Sequence, residues 1–184
     1  MLKRLTHPNI VSFLGITTNP LQFVTEWMPN GILTDYVTNH PSANRIALVS
    51  PFSVRHAQRT PTPPQLLDVA EGLNFIHTSY TIHGDLKGVG ALSRSFRATS
   101  LTPGQPNILI NSNGQARLAD CGLISILLQK DSIATYVHGY ITRWTPPEIL
   151  GGSKKYTRAA DVFSFGMVVI EASLDFFMCP FVGD

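Results

Sequence analysis

The strongest constraint on the fold is an ordered series of five short segments. The first runs Thr81-Ile82-His83-Gly84-Asp85-Leu86-Lys87-Gly88. It is followed by Asn107-Ile108-Leu109-Ile110, Leu118-Ala119-Asp120-Cys121-Gly122-Leu123, Pro146-Pro147-Glu148 and Asp161-Val162-Phe163-Ser164-Phe165-Gly166. In the first, an apolar pair leads to a carboxylate, and a lysine stands two residues on. A carboxylate so placed orients a hydroxyl and accepts its proton, while an ammonium offsets negative charge nearby. An Asp-x-Lys alone is common in surface loops; the order of the series gives it weight.

This series resembles the catalytic loop, metal-binding loop, activation-segment end and following helix of a eukaryotic protein kinase. The His-Gly-Asp-Leu-Lys-Gly form looks like the tyrosine-kinase-like group of fungal type. Lys87 leans towards serine or threonine as acceptor, with tyrosine as the alternative. The resemblance implies an α+β, two-lobed kinase fold, ATP and Mg2+ as cofactors and a protein substrate. It makes Asp85 the base, Lys87 a partner of the γ-phosphate, and Asn107 and Asp120 ligands of Mg2+. Thr25 would guard the back of the nucleotide pocket. The backbone at Glu26 and Met28 would pair with adenine, and Leu109 belongs to the same nucleotide-binding set. Glu148 would close the activation segment. Asp161 would brace the catalytic loop, cap its own helix, or do both.

The departures are specific. Gly84 replaces the arginine usual before the catalytic aspartate, Cys121 replaces phenylalanine, and Thr145-Pro146-Pro147-Glu148 stands for Ala-Pro-Glu. No Gly-x-Gly-x-x-Gly is present. On this comparison residues 1–28 are expected to be a small-lobe remnant with the hinge, and 29–184 an incomplete large lobe. The phosphate loop, the ATP-anchoring lysine and its glutamate are expected to be missing. The expectation is kinase membership without competent catalysis in this chain, with a pseudokinase-like binding or scaffold fragment as the alternative.

Local patterns supply the elements. Met1 to Leu5 reads as the tail of a helix stopped by His7-Pro8-Asn9. Ile10 to Ile16 and Leu21 to Glu26 read as strands joined by the turn-prone Thr17 to Pro20. Leu33 to Val37 begins a short helix. Leu66, Val69, Ala70, Leu73 and Ile76 give a helical period over 66–78. Ile108 to Ile110 and Ala116 to Leu118 form a second hairpin around Asn111-Ser112-Asn113-Gly114. Leu123 to Thr145 would be the activation segment, and Asp161 to Ala172 an apolar, buried helix.

Two segments break the kinase register. Val49 to Gln65 and Val89 to Gln105 are each 17 residues long, begin with Val and end with Gln. Together they hold Arg55, Arg59, Arg94 and Arg97, no acidic residue, and five of the 13 prolines. Without them Asn107 falls five positions after Asp85. Valine codons start with GT and one glutamine codon ends with AG, so both segments read as in-frame retained introns; genuine surface loops are the alternative.

Composition excludes several classes. A formal charge of +2 gives no reason for a nucleic-acid partner. Cys121 and Cys179 make no disulfide framework. No secretory signal is apparent, and the apolar run from Val162 to Val182 is broken by Glu171 and Asp175, so no membrane span is expected. The expected location is cytoplasmic.

Overall fold

An Asn-Ser-Asn-Gly turn between two apolar triplets builds the piece that everything else attaches to. In the computed structural model, which describes residues 5–40, 64–88, 106–122, 143–153 and 155–173, β3 (Ile108–Ile110) pairs antiparallel with β4 (Ala116–Leu118). Asn111 Oδ1 accepts the N–H groups of Asn113 and Gln115, at 2.9 and 3.0 Å, and so closes the turn. Ile108, Ile110, Ala116 and Leu118 have no exposed surface. They form the floor of the core.

The other elements are β1 (Phe13–Thr18), β2 (Leu21–Thr25), α1 (Leu33–Asn39), α2 (Pro64–Thr78), α3 (Pro147–Leu150) and α4 (Arg158–Ser173). β1 and β2 form a separate antiparallel hairpin across Asn19-Pro20, whose peptide bond is cis. α2 buries Leu66, Val69, Leu73 and Ile76, the stripe its sequence period requires, and packs on β4. Val168 and Ala172 of α4 complete the core.

The β3–β4 hairpin holds the β1–β2 unit at both ends. Before β1, Leu118 N–H donates to the Asn9 carbonyl at 2.9 Å and Val11 N–H to the Leu118 carbonyl at 2.8 Å. After β2, Ile110 N–H donates to Gly31 at 2.8 Å and Asn30 N–H to Ile110 at 3.2 Å. The expected strand from Ile10 therefore begins only at Phe13, because residues 9–11 spend their hydrogen bonds on β4.

Two further differences matter. α4 starts at Arg158, where the Thr157 hydroxyl accepts the Ala160 N–H at 3.1 Å. Its core side is buried, but Val162, Phe163 and Ile170 are exposed, so it is amphipathic and not wholly buried. Pro64 and Gln65, the last residues of the first inserted segment, are the first turn of α2, and Gln65 Nε2 donates to the Gly114 carbonyl at 3.0 Å. The remainder of that segment, all of 89–105, the start of the chain to residue 4, residues 123–142 of the expected activation segment (123–145) and the end from 174 lie outside the described residues. Among the described residues no helix is long and apolar enough to cross a membrane.

Candidate active site

The loop 81–88 has no regular structure of its own, so side chains from elsewhere must fix it. Asp161, on the first turn of α4 and 1% exposed, supplies most of that. Its Oδ2 accepts the His83 N–H at 2.9 Å and its Oδ1 the Gly84 N–H at 2.8 Å. His77 Nε2, from the end of α2, donates to Oδ2 at 2.7 Å. Of the two roles expected for Asp161, the structure shows bracing; capping falls to Thr157. Gly84 has φ 78°, in the left-handed region where a Cβ is unfavourable.

His83 is fully buried and ties this loop to the next. Its Nδ1 accepts the Asp85 N–H at 3.3 Å, so its proton lies on Nε2, which donates to the Ala119 carbonyl at 3.0 Å. Burial pulls its pKa below the ordinary 6.5, against the raising effects of Asp161 and Asp85. The ring is neutral and acts as a bridge.

Asp85 presents its carboxylate at the surface of this frame, with its side chain 45% exposed. Lys87 Nζ lies 2.9 and 2.8 Å from the two carboxyl oxygens. Asn107 Nδ2 donates to the Asp85 carbonyl and, at 3.2 Å, to Oδ2. The Asn107 main chain is bonded on both sides, N–H to the Lys87 carbonyl at 3.3 Å and carbonyl to the Ala119 N–H at 2.9 Å. Asp85, Lys87 and Asn107 are therefore one contiguous cluster.

Asp120 follows β4 with φ 57°. Loss of water around its carboxyl pushes its pKa up, His83 counters, and the Asp85 charge adds to the rise. The residue keeps much of its surface exposed, which limits the effect. Asp120 thus shares a field with Asp85, His83 and Lys87. Tyr156, just before α4, is half-buried, and burial followed by the Asp85 charge raises its phenol.

Thr25, Asp120 and Cys121 line one cavity of about 40 Å³ with Leu5, Ile10 and Phe23. Thr25 ends β2, and Glu26-Trp27-Met28 follow it. The Glu26 N–H is spent on the Ser12 carbonyl at 3.0 Å and the Met28 carbonyl on the Gly31 N–H at 3.2 Å. Neither bond uses the Glu26 carbonyl or the Met28 N–H, an acceptor and a donor on one strand of chain. The Glu26 carboxylate pairs with Arg117 Nη1 at 2.7 Å and accepts the Ser12 hydroxyl at 2.9 Å. Leu109 lies on β3 opposite Ile32, half-buried, on the face away from the core.

A family model described as protein tyrosine and serine/threonine kinase matches residues 1–97 and 104–176. The chain belongs to this kinase family. Among its relatives, Serine/threonine-protein kinase 12 of Arabidopsis thaliana is 31% identical over 173 residues, covering 93% of this chain and 31% of the relative. Serine/threonine-protein kinase STY46 of the same plant is 29% identical, with 93% and 24% covered. Serine/threonine/tyrosine-protein kinase HT1 is 30% identical over 190 residues, with 100% and 39% covered. The kinase chain thus spans well under half the length of these relatives. Its two hairpins and core helices are the α+β fold of that family.

Sequence reasoning placed Asp85, Lys87 and Asn107 together and Asp120 beside them. It missed His77 and His83, which frame the Asp85 loop, Tyr156, whose phenol feels the Asp85 charge, and Arg117, the partner of Glu26. A histidine one position before the end of α2, followed six residues later by the apolar-flanked His83, was the available signal.

Proposed function

We propose that this chain is the acceptor-positioning and metal-holding portion of an ATP- and Mg2+-dependent protein kinase domain. In a complete kinase domain this portion would direct a phosphoryl group to a serine or threonine hydroxyl of a protein, with tyrosine as the second acceptor class. The observation that carries this is the Asp85 carboxylate, open to solvent on one side and pinned by Lys87 and Asn107 on the other. Asp85 would take the hydroxyl proton as the new O–P bond forms and the bond from the γ-phosphorus to the departing ADP oxygen breaks. Lys87 holds both carboxyl oxygens and supplies positive charge beside the transferred group.

The donor set fits a hard divalent cation. Asn107 uses its Nδ2 on Asp85 and keeps Oδ1 as an acceptor. Among the described residues no hydrogen bond takes up the Asp120 carboxyl, and no group of three or more His, Cys, Asp or Glu among them could by itself hold a metal ion. Mg2+ suits such a sparse set, because it retains waters and shares its shell with phosphate oxygens. When bound it would neutralise phosphate charge. Asn107 and Asp120 would hold it, and the Glu26 carbonyl and Met28 N–H would receive the adenine edge above Leu109, with Thr25 behind. The domain boundaries at 28/29 and a cytoplasmic setting with a protein partner belong to the same reading.

The test is a thermal-shift titration with Mg-ATP. A rise in midpoint that is lost in Asp120→Asn supports the assignment. No rise in the intact chain would favour the alternative, a scaffold that binds partners without nucleotide.

A further inference from the structure

The kinase register is restored by removing 89–105, and the described residues on either side meet as though the chain were continuous there. The Lys87 carbonyl accepts the Asn107 N–H at 3.3 Å. In a chain running Lys87-Gly88-Pro106-Asn107, that bond is the first-to-fourth hydrogen bond that closes a four-residue turn.

We propose that residues 89–105 are a dispensable insertion, so that a chain joining Gly88 directly to Pro106 folds to the same site with Asp85 and Asn107 tethered by one short turn. The flanks find their partners elsewhere. Asn107 is held by Asp85, Lys87 and Ala119. Leu86, Lys87 and Gly88 are buried on one side, and Asn107 and Ile108 on the other. Gly88 lies close against α4, where an added Cβ would press on the Glu171 carboxylate. Pro106 has no N–H to lose. The family model also breaks off at residue 97 and resumes at 104, inside this segment. Seventeen whole residues leave the frame unchanged, and Val first and Gln last are compatible with the GT and AG ends that splicing requires.

The first segment is different. Gln65 is buried in the first turn of α2 and bonded to Gly114, so excising 49–65 would remove part of a core helix. The inference is confined to 89–105.

The experiment compares the full chain with one lacking residues 89–105, each with and without Asn107→Ala, by thermal unfolding. No nucleotide is added, so the outcome is independent of the proposed activity. Shortening a closed loop lowers its entropic cost, so the deleted chain is expected to unfold cooperatively with a midpoint at or above that of the full chain. Asn107→Ala should lower both midpoints by the same amount within about 2 °C. A deleted chain that does not unfold cooperatively, melts lower than the full chain, or responds differently to Asn107→Ala overturns the proposal.

Discussion

His77 and Asp161 are 84 positions apart and meet at 2.7 Å, Nε2 to Oδ2, directly behind the loop that carries Asp85. A buried carboxylate is costly unless its oxygens are filled. Here three N–H groups fill them, two from the His83 and Gly84 main chain. Asp161→Ala orphans all three and should cost about 3–5 kcal/mol. His77→Ala leaves the loop bonds in place and should cost about 1–2 kcal/mol. Urea unfolding of both variants checks the ranking. Equal losses would mean that the loop bonds contribute little.

The neutral state of His83 makes stability depend on pH. Burial holds its folded pKa below 6.5, so on acidification the unfolded chain takes up this proton first. Stability should therefore fall as pH drops below 6.5, by at most about 1.4 kcal/mol per pH unit for one proton. His83→Gln, which keeps a donor for Ala119 but cannot titrate, should flatten the curve in that window. Chemical denaturation between pH 5 and pH 8 measures it, and an unchanged slope in the variant would assign the dependence to another group.

For Asp120 the sign is reversed. Its folded pKa is raised above 3.8, so the folded chain keeps the proton longer. Its contribution to stability is lost as pH rises through the folded value, and at neutral pH the bare carboxylate is a liability. Asp120→Asn should raise the melting point of the nucleotide-free chain at pH 7 and abolish its gain from Mg-ATP. A variant that melts lower without nucleotide would show that the carboxylate has a protein partner.

Two glycines predict opposite outcomes for one substitution. On α2, a Cβ at Gly72 would lie 2.8 Å from the Asn9 carbonyl and 3.2 Å from Leu118 Cδ1. Backbone must move, so Gly72→Ala should cost about 1–3 kcal/mol. On α4, Gly166 has open space around it among the described residues. Gly166→Ala should gain about 0.5–1 kcal/mol from helix propensity. Thermal unfolding of the pair tests whether the Asn9 clasp fixes the approach of α2 to β4.

Much of this was legible in the sequence because it is local. The period of Leu66, Val69, Leu73 and Ile76 locates α2, the Asn-Ser-Asn-Gly turn locates β3 and β4, and the spacing of Asp85 and Lys87 makes them neighbours. What was missed depends on partners far along the chain. Nothing near His77 reveals Asp161, and nothing near Arg117 reveals Glu26. The early end of the expected strand from Ile10 follows from the bonds of residues 9–11 to Leu118, a contact no local pattern encodes. For α4, apolar composition predicted burial, yet Val162, Phe163 and Ile170 are exposed, because burial depends on what packs against a helix.

Cys121 gives the last prediction. The residue is 4% exposed, and burial, ahead of the charges of Asp120 and Asp161, pushes its thiol up to about 12. Alkylation proceeds through the thiolate, so at pH 8 the reactive fraction falls about a thousandfold relative to a thiol of pKa 9. Cys121 should resist iodoacetamide in the folded chain and react once urea unfolds it, as read by mass spectrometry of the peptide that contains it. Because Cys121 borders the cavity with Thr25 and Asp120, its residual rate also reports how often that wall opens. Prompt labelling at pH 8 without denaturant would mean that the cavity is open to solvent, and that the thiol is not held as the structure places it.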